Sequence, residues 1–268
     1  MIKIPSPALP RDYVDCASKV RWDNALGQPM LQGERCFAYL ENDQVQLVTM
    51  DATPVTTVPR INSALHWPLT QEPTAILDGF LTETGIAQTV LQKRLKKLKA
   101  DNTKVQFVLC DQISTAAFSE RYKKLNAFTG SLVTCAETVK IRNREDLNYY
   151  QSRCLLLGYP GVNLRHSAEG YKSNDSVFFL AVHTPKTKSY NVVDVKSGRG
   201  EFAGFAIAVC ATDQGDEFEV MCPQHVVTSI ELTTNLRKYI SRRLTVAYFD
   251  LTFGDDIVPK YPVAVAFK

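Results

Sequence analysis

The sequence has no apolar run long enough to cross a bilayer as a helix. Its first residues, Met1-Ile2-Lys3-Ile4-Pro5, carry neither a long apolar core nor the cleavage pattern of a secretory signal. The expectation is a soluble, cytoplasmic, non-secreted protein without a membrane partner. No C-x-x-C pair occurs among the seven scattered cysteines, and their number is odd. That argues against a disulfide framework or a zinc site and for isolated buried thiols. The four histidines, His66, His166, His183 and His225, have no helical metal-binding spacing. Internal repeats and low-complexity tracts are absent. Charge of one sign is not in excess: the formal net charge is +3. Only the distribution of that charge can speak for or against nucleic acid. Lysine is missing over one long stretch, with none between Lys19 and Lys93.

What is present is an ordinary globular composition, 45% hydrophobic and 22% charged, in 268 residues. That length suits one large or two smaller domains. Residues 1–27 read as an irregular arm with a short helix. Residues 28–58 read as a tight glycine turn at Gly33, with Arg35 two residues on, and two runs that pair as neighbouring strands. A strand is expected over 74–81 and a helix over 86–99. That helix has an apolar stripe of Val90, Leu91, Leu95 and Leu98 opposite Lys93, Arg94, Lys96, Lys97 and Lys99. The lysine-rich side reads as a solvated face. Then come a buried strand over 105–111 and a helix over 117–128 with Phe118, Tyr122 and Leu125 inward. A strand over 132–141 follows, then a helix over 143–157 entered through Asn143 or Asp146. Short strands are expected over 162–165 and 177–183. Lys186-Thr187-Lys188 reads as a linker. Beyond it, five strand-like runs in about 80 residues (190–195, 205–211, 217–221, 244–248 and 263–267) suit a small barrel of the OB type.

Several fragments, in order, resemble the motifs of small viral and phage-type ATP-dependent DNA ligases. Met30-Leu31-Gln32-Gly33-Glu34-Arg35 resembles the family's Lys-x-Asp-Gly-x-Arg. Leu77-Asp78-Gly79-Phe80-Leu81 resembles Leu-Asp-Gly-Glu-Leu, and the strand ending at Cys110-Asp111 resembles one ending in Phe-Asp. The run from Gly158-Tyr159-Pro160-Gly161 to Arg165 resembles Gly-x-Glu-Gly-x-x-x-Arg, with Tyr171-Lys172 matching a following Tyr-Lys pair. Phe179-Leu180-Ala181-Val182-His183 resembles Leu-Leu-Lys-x-Lys. Asp194 through Gly204 resembles the entry to the ligase OB domain, and Val258-Pro259-Lys260-Tyr261-Pro262 a closing Pro-Arg-Phe-Pro. The resemblance implies an α+β nucleotidyltransferase domain of antiparallel sheets with helices over 1–187, and an OB-fold barrel over 188–268.

The departures bear on chemistry. In the family the motif lysine takes up AMP, which requires an amine lone pair. Here that position is Met30, the aspartate is Gln32, and two glutamates are Phe80 and Pro160. The two phosphate-binding lysines become Ala181 and His183. Phosphoryl transfer depends on positioned charge and hard oxygen ligands for its metal, and none of these six residues supplies the family's group. The resemblance therefore implies a degenerate site with no catalytic residue, no bound metal and no cofactor.

What remains is cationic. Arg35, Arg165, Lys172, Lys196, Arg199, Arg237, Lys238, Arg242 and Arg243 are candidates for duplex phosphates, which give affinity without sequence readout. Arg242 and Arg243 read equally well as a solvated turn. The resulting expectation is a ligase-like protein that binds duplex or nicked DNA without sealing it, in an accessory or protective role beside a replication or repair protein. Two alternatives stand beside it. One is an active ligase with another nucleophile, which alone calls for ATP and magnesium. The other is a protein-binding module directed at a host-defence factor.

Overall fold

In a computed structural model of the chain, residues 6–97, 100–182, 185–228, 231, 235–248, 250–252 and 258–268 are described. The expectations for Leu98, Lys99 and His183 lie outside them. The chain forms two units, Met1–Ile141 with Asn163–Ala181, and Arg142–Val162 with Val182–Lys268.

The first unit begins with β1 (Ala8–Asp12), the one-turn helix α1 (Tyr13–Cys16) and β2 (Ala25–Pro29). The arm expected to be irregular thus holds two strands. The first was illegible locally because its partner is remote: β1 runs parallel to residues 174–182 with a register shift after Pro10. The expected strand pair is β3 (Glu34–Glu41) and β4 (Gln44–Thr49), antiparallel from Cys36↔Thr49 to Glu41↔Gln44. Asn42 and Asp43 close it with φ of 50° and 59°, the left-handed pair that suits strand twist in a two-residue hairpin.

Next comes α2 (Pro59–Gln71), a helix that the sequence analysis did not assign. Pro68 inside it and the polar Asn62, Ser63 and His66 masked its pattern, but Ile61, Leu65 and Leu69 at four-residue spacing are all buried. Then follow β5 (Ile76–Thr82), α3 (Gln88–Leu95), β6 (Gln106–Gln112) and α4 (Phe118–Leu125). The single strand expected over 132–141 is two, β7 (Val133–Cys135) and β8 (Val139–Lys140), which belong to different sheets. The helix α5 (Arg144–Leu156) falls in the second unit, and β9 (Val162–His166) and β10 (Asn174–Val182) largely in the first.

One sheet has the order β1-β10-β9-β2-β8 and the other β4-β3-β5-β6-β7. Burial of apolar side chains from both faces of the second sheet drives this arrangement. Cys36, Ala38, Leu47, Leu77 and Leu109 join Ile61, Leu65, Leu69, Leu91 and Leu95 of α2 and α3 in one core. Phe37, Tyr39 and Val48 form a separate cluster.

In the second unit, β11 (Lys186–Ser197), β12 (Ala206–Ala211), β13 (Glu217–Cys222), β14 (Arg243–Tyr248) and β17 (Val263–Phe267) close into a barrel of order β11-β12-β13-β17-β14. β15 (Asp250–Leu251) and β16 (Pro259–Lys260) form a small ribbon beside it. The alternation of β12 and β13 sends Ala206, Ala208, Cys210, Phe218, Val220 and Cys222 into the barrel core. The Lys186–Lys188 stretch is not a linker: it opens β11 and lies opposite Tyr248, Ala247 and Val246. Its three exposed polar residues concealed a strand whose bonding is supplied by β14.

Asn143 is the cap of α5, accepting from the Asp146 N–H at 2.8 Å. The closing pattern meets this helix. Tyr261 donates to Glu145 at 2.8 Å, Lys260 pairs with Glu145 at 3.2 Å, and the Tyr149 and Tyr261 rings meet edge to face.

Candidate functional site

The motif positions of the first unit converge on two carboxylates. Asp78 of β5 and Asp111 of β6 are direct cross-strand neighbours, and neither side chain is exposed at all. Like charges opposite one another on adjacent strands are destabilising, and burial adds the cost of desolvating both. Three arginines offset this.

Arg35 of β3 grips Asp78 through Nε at 2.9 Å and Nη2 at 2.6 Å, and gives Nη1 to the Ala8 carbonyl at 2.9 Å. Burial works against its charge, but Asp78 prevails and raises its pKa further. The Tyr171 hydroxyl donates to Asp78 at 2.9 Å and accepts from the Ala8 N–H at 3.0 Å. Burial first, and Asp78 second, hold that phenol well above the usual tyrosine range. Arg121 of α4 binds both oxygens of Asp111 at 2.8 and 3.0 Å. Arg165 of β9 reaches the same carboxylate with Nη1 at 2.9 Å and gives Nε to Gln28 at 2.9 Å. The Arg165 guanidinium also lies 3.9 Å from the ring centroid of Phe179 and 4.9 Å from that of Phe118. Gln28 completes its bonds to the Cys110 carbonyl and Thr138.

Arg35 and Arg165 were expected on phosphates. The structure instead buries them, with side chains 10% and 8% exposed, on carboxylates of their own unit. Arg121 was missed as a site residue, although its signal was legible. Three residues after Phe118, it sits on the face of α4 that the sequence assigns to the interior.

The glycines retained in the motifs also serve packing. A Cβ on Gly33, whose φ is +152°, would lie 2.2 Å from the Leu81 carbonyl oxygen, and one on Gly79 would lie 2.6 Å from that of Val108. No side chain fits either approach.

Met30, Gln32, Phe80, Pro160 and Ala181 carry neither an amine nor a carboxylate. Met30 and Phe80 are half-buried, Gln32 is exposed and Ala181 is buried in β10. The Arg35 guanidinium lies 5.9 Å from the Phe80 ring centroid. Pro160 is half-buried in a turn of the second unit. Burial pushes the Cys110 thiol up to about 12, which keeps that thiol protonated.

The other cations are accessible. Lys172 is exposed and pairs with Glu169 at 3.0 Å. On the barrel unit, Lys196 pairs with Glu219 and Lys238 with Glu231. Arg199 and Arg237 are exposed and have no partner among the described residues. Arg242 reaches the Lys268 carbonyl and Arg243 that of Ser189. Lys196 and Arg199 border one groove. Gly198, between them in sequence, permits the tight turn, since a Cβ there would meet the Phe202 carbonyl oxygen at 2.2 Å. Among the described residues no group of His, Cys, Asp and Glu has the arrangement to hold a metal ion, and no helix is long and apolar enough to cross a membrane.

No protein-family model and no curated protein matches the sequence. Solved structures do. A Chlorella virus DNA ligase-adenylate is 17% identical with a TM-score of 0.75, the match covering 99% of each chain. The ATP-dependent DNA ligase of bacteriophage T7, in complex with ATP, is 12% identical with a TM-score of 0.61 over 98% of each chain. A Lig E DNA ligase is 17% identical with a TM-score of 0.56, over 99% of this chain and all of the other. The chain thus has the fold of small viral and phage-type ATP-dependent DNA ligases, an α+β nucleotidyltransferase unit followed by an OB barrel.

Proposed function

We propose that this protein binds duplex or nicked DNA and does not seal it. One observation carries the reading: Met30 stands at the turn where nucleotidyl transfer needs an amine, and no lysine lies between Lys19 and Lys93 to replace it. A thioether is a poor nucleophile toward phosphorus. The division of the motif residues supports the same reading. Gly33, Gly79, Arg35 and Arg165 have packing or ion-pair roles inside the first unit. The residues that would touch nucleotide or metal are Met30, Gln32, Phe80, Pro160, Ala181 and His183. The pattern is that of a fold kept and a chemistry lost.

The DNA contacts in this reading are to backbone phosphates, without base readout. They come from accessible cations, Lys172 in the first unit and Lys196, Arg199, Arg237, Arg242 and Arg243 in the second. The protein then acts as an accessory that occupies nicks or ends, or places another replication or repair protein there.

Two measurements test this. Intact-mass spectrometry after incubation with ATP and magnesium is expected to show unmodified protein; an added AMP would overturn the loss of chemistry. Fluorescence anisotropy at low salt is expected to show binding to nicked or intact duplex. Undetectable binding to both would overturn the DNA reading in favour of a protein-directed module.

A further inference from the structure

We propose that Glu219 competes with a DNA backbone phosphate for Lys196, and so limits how tightly the barrel unit holds duplex. The inference rests on the DNA reading and adds to it a residue that weakens binding. In the barrel, β12 lies between β11 and β13. Lys196 of β11 stands directly opposite Ile207 of β12, and Glu219 of β13 opposite Val209. Ile207 and Val209 are two residues apart on one strand, so all four share a face. It is the outer face, since Ala206, Ala208 and Cys210, which alternate with them, lie in the barrel core. Lys196 therefore reaches across β12 to donate to Glu219. These two and Ile207 line one groove with Ser197 and Arg199.

The groove suits a phosphodiester group in all but one position. Lys196, Arg199 and the Ser197 hydroxyl are donors, and the groove is open, as a continuous strand requires. Glu219 is the one carboxylate of that lining, and it takes the ammonium that a phosphate oxygen would take. The pair has little structural duty. Its side chains are 49% and 57% exposed, and an ion pair so exposed contributes little to stability. A phosphate can therefore displace Glu219 without disturbing the barrel core on the opposite face.

Displacement carries a penalty that an unpaired cation escapes. A cation that neutralises a DNA phosphate releases a counterion, and that release drives association. When Lys196 does so, the freed Glu219 carboxylate takes a cation back, and the two changes nearly cancel. Glu219 also stays beside the incoming phosphate as a like charge. Arg199, exposed and without a partner among the described residues, brings its release undiminished. Lys172 and Lys238 are matched with Glu169 and Glu231 in the same way, but neither pair lines this groove.

The test is fluorescence anisotropy of the full chain with a duplex across a salt series. Glu219→Gln is expected to bind more tightly at low salt and to steepen the log–log slope by roughly 0.9. A fourfold rise in salt then weakens it about 3.5-fold more than it weakens the wild type. Adding Lys196→Ala to that variant is expected to return the slope to the wild-type value. Glu120→Gln makes the same charge change at an exposed position of α4 and is expected to leave the slope unchanged. Unfolding midpoints of Glu219→Gln and wild type are expected to agree. Equal slopes in wild type and Glu219→Gln, or a steeper slope that Lys196→Ala does not reverse, overturn the competition and leave the DNA reading standing. Undetectable binding by both proteins at low salt overturns the DNA reading and this inference with it.

Discussion

At the residue scale the proposed loss of nucleotidyl transfer rests on Met30, which stands where the ligase motif has its lysine. Restoring the amine alone is not sufficient. In Met30→Lys, the positions Gln32, Phe80, Pro160 and Ala181 still lack the charges that hold nucleotide and metal. We expect that variant to show no nick sealing in a gel assay with ATP and magnesium; sealing by this single mutant would mean that the site is far less degraded. His166 yields a second residue-scale prediction. The fold lowers its pKa, chiefly by burial, below the ordinary histidine value of about 6.5. Just below that value the unfolded chain binds more protons than the folded one, so stability falls as the pH drops. The loss levels off once the folded His166 protonates as well. Unfolding midpoints between about pH 8 and pH 5 are expected to show this decline, and His166→Gln to reduce it. At this scale the sequence was legible for the departures from the motifs, because a methionine cannot act as an amine in any fold. It was not legible for Arg35 and Arg165, whose use depends on what lies opposite them.

At the scale of elements, the glycine turn before β3 is the sharpest case. Gly33→Ala places a methyl group against the Leu81 backbone, which no rotamer can relieve. We expect a destabilisation of roughly 2–4 kcal/mol, in the range of overpacking combined with backbone strain, read from denaturant midpoints. Gly130→Ala, where nothing lies within 4 Å, is the control and is expected to change little. The elements recovered from sequence are those with a local signal. They include the β3–β4 hairpin, α4, α5 with its Asn143 cap, and the alternating barrel strands. Those misread lack one. β1 takes its bonds from β10, and the start of β11 takes its from β14. α2 hides behind Pro68. For the two strands the stabilising partner lies far along the chain, beyond any window of local periodicity.

At the scale of the whole molecule, the distribution of cations replaces the net charge as the informative quantity. If DNA is held through phosphates, affinity falls steeply with salt. Each lost contact flattens the log–log slope by roughly 0.9 on B-DNA. Arg199→Ala and Arg237→Ala are expected to flatten the slope in this way, with unfolding midpoints unchanged, since neither side chain has a partner among the described residues. Arg35→Ala and Arg165→Ala are expected to do the reverse. Arg35→Ala leaves the buried Asp78 without its cation, which costs about 3–5 kcal/mol, and Arg165→Ala removes one of the two cations on Asp111 and costs less, so the loss appears in stability before it appears in the slope. Anisotropy across a salt series, with denaturant melts of the same four variants, separates the two groups. A slope change in Arg35→Ala at full stability would return that arginine to the DNA surface.

The sequence by itself determined the motif-like fragments and their order, the alternating barrel strands, and a methionine at position 30. These follow from residue identity and local spacing, which no packing arrangement alters. Only the tertiary structure decided that Asp78 and Asp111 lie side by side, drawn from strands some thirty residues apart in sequence. It also decided that Arg35, Arg121 and Arg165, drawn from three further elements, close on them. A buried carboxylate needs a counter-charge within hydrogen-bond reach. Which cation supplies it depends on distances across sheets and helices, and one-dimensional spacing does not contain those distances.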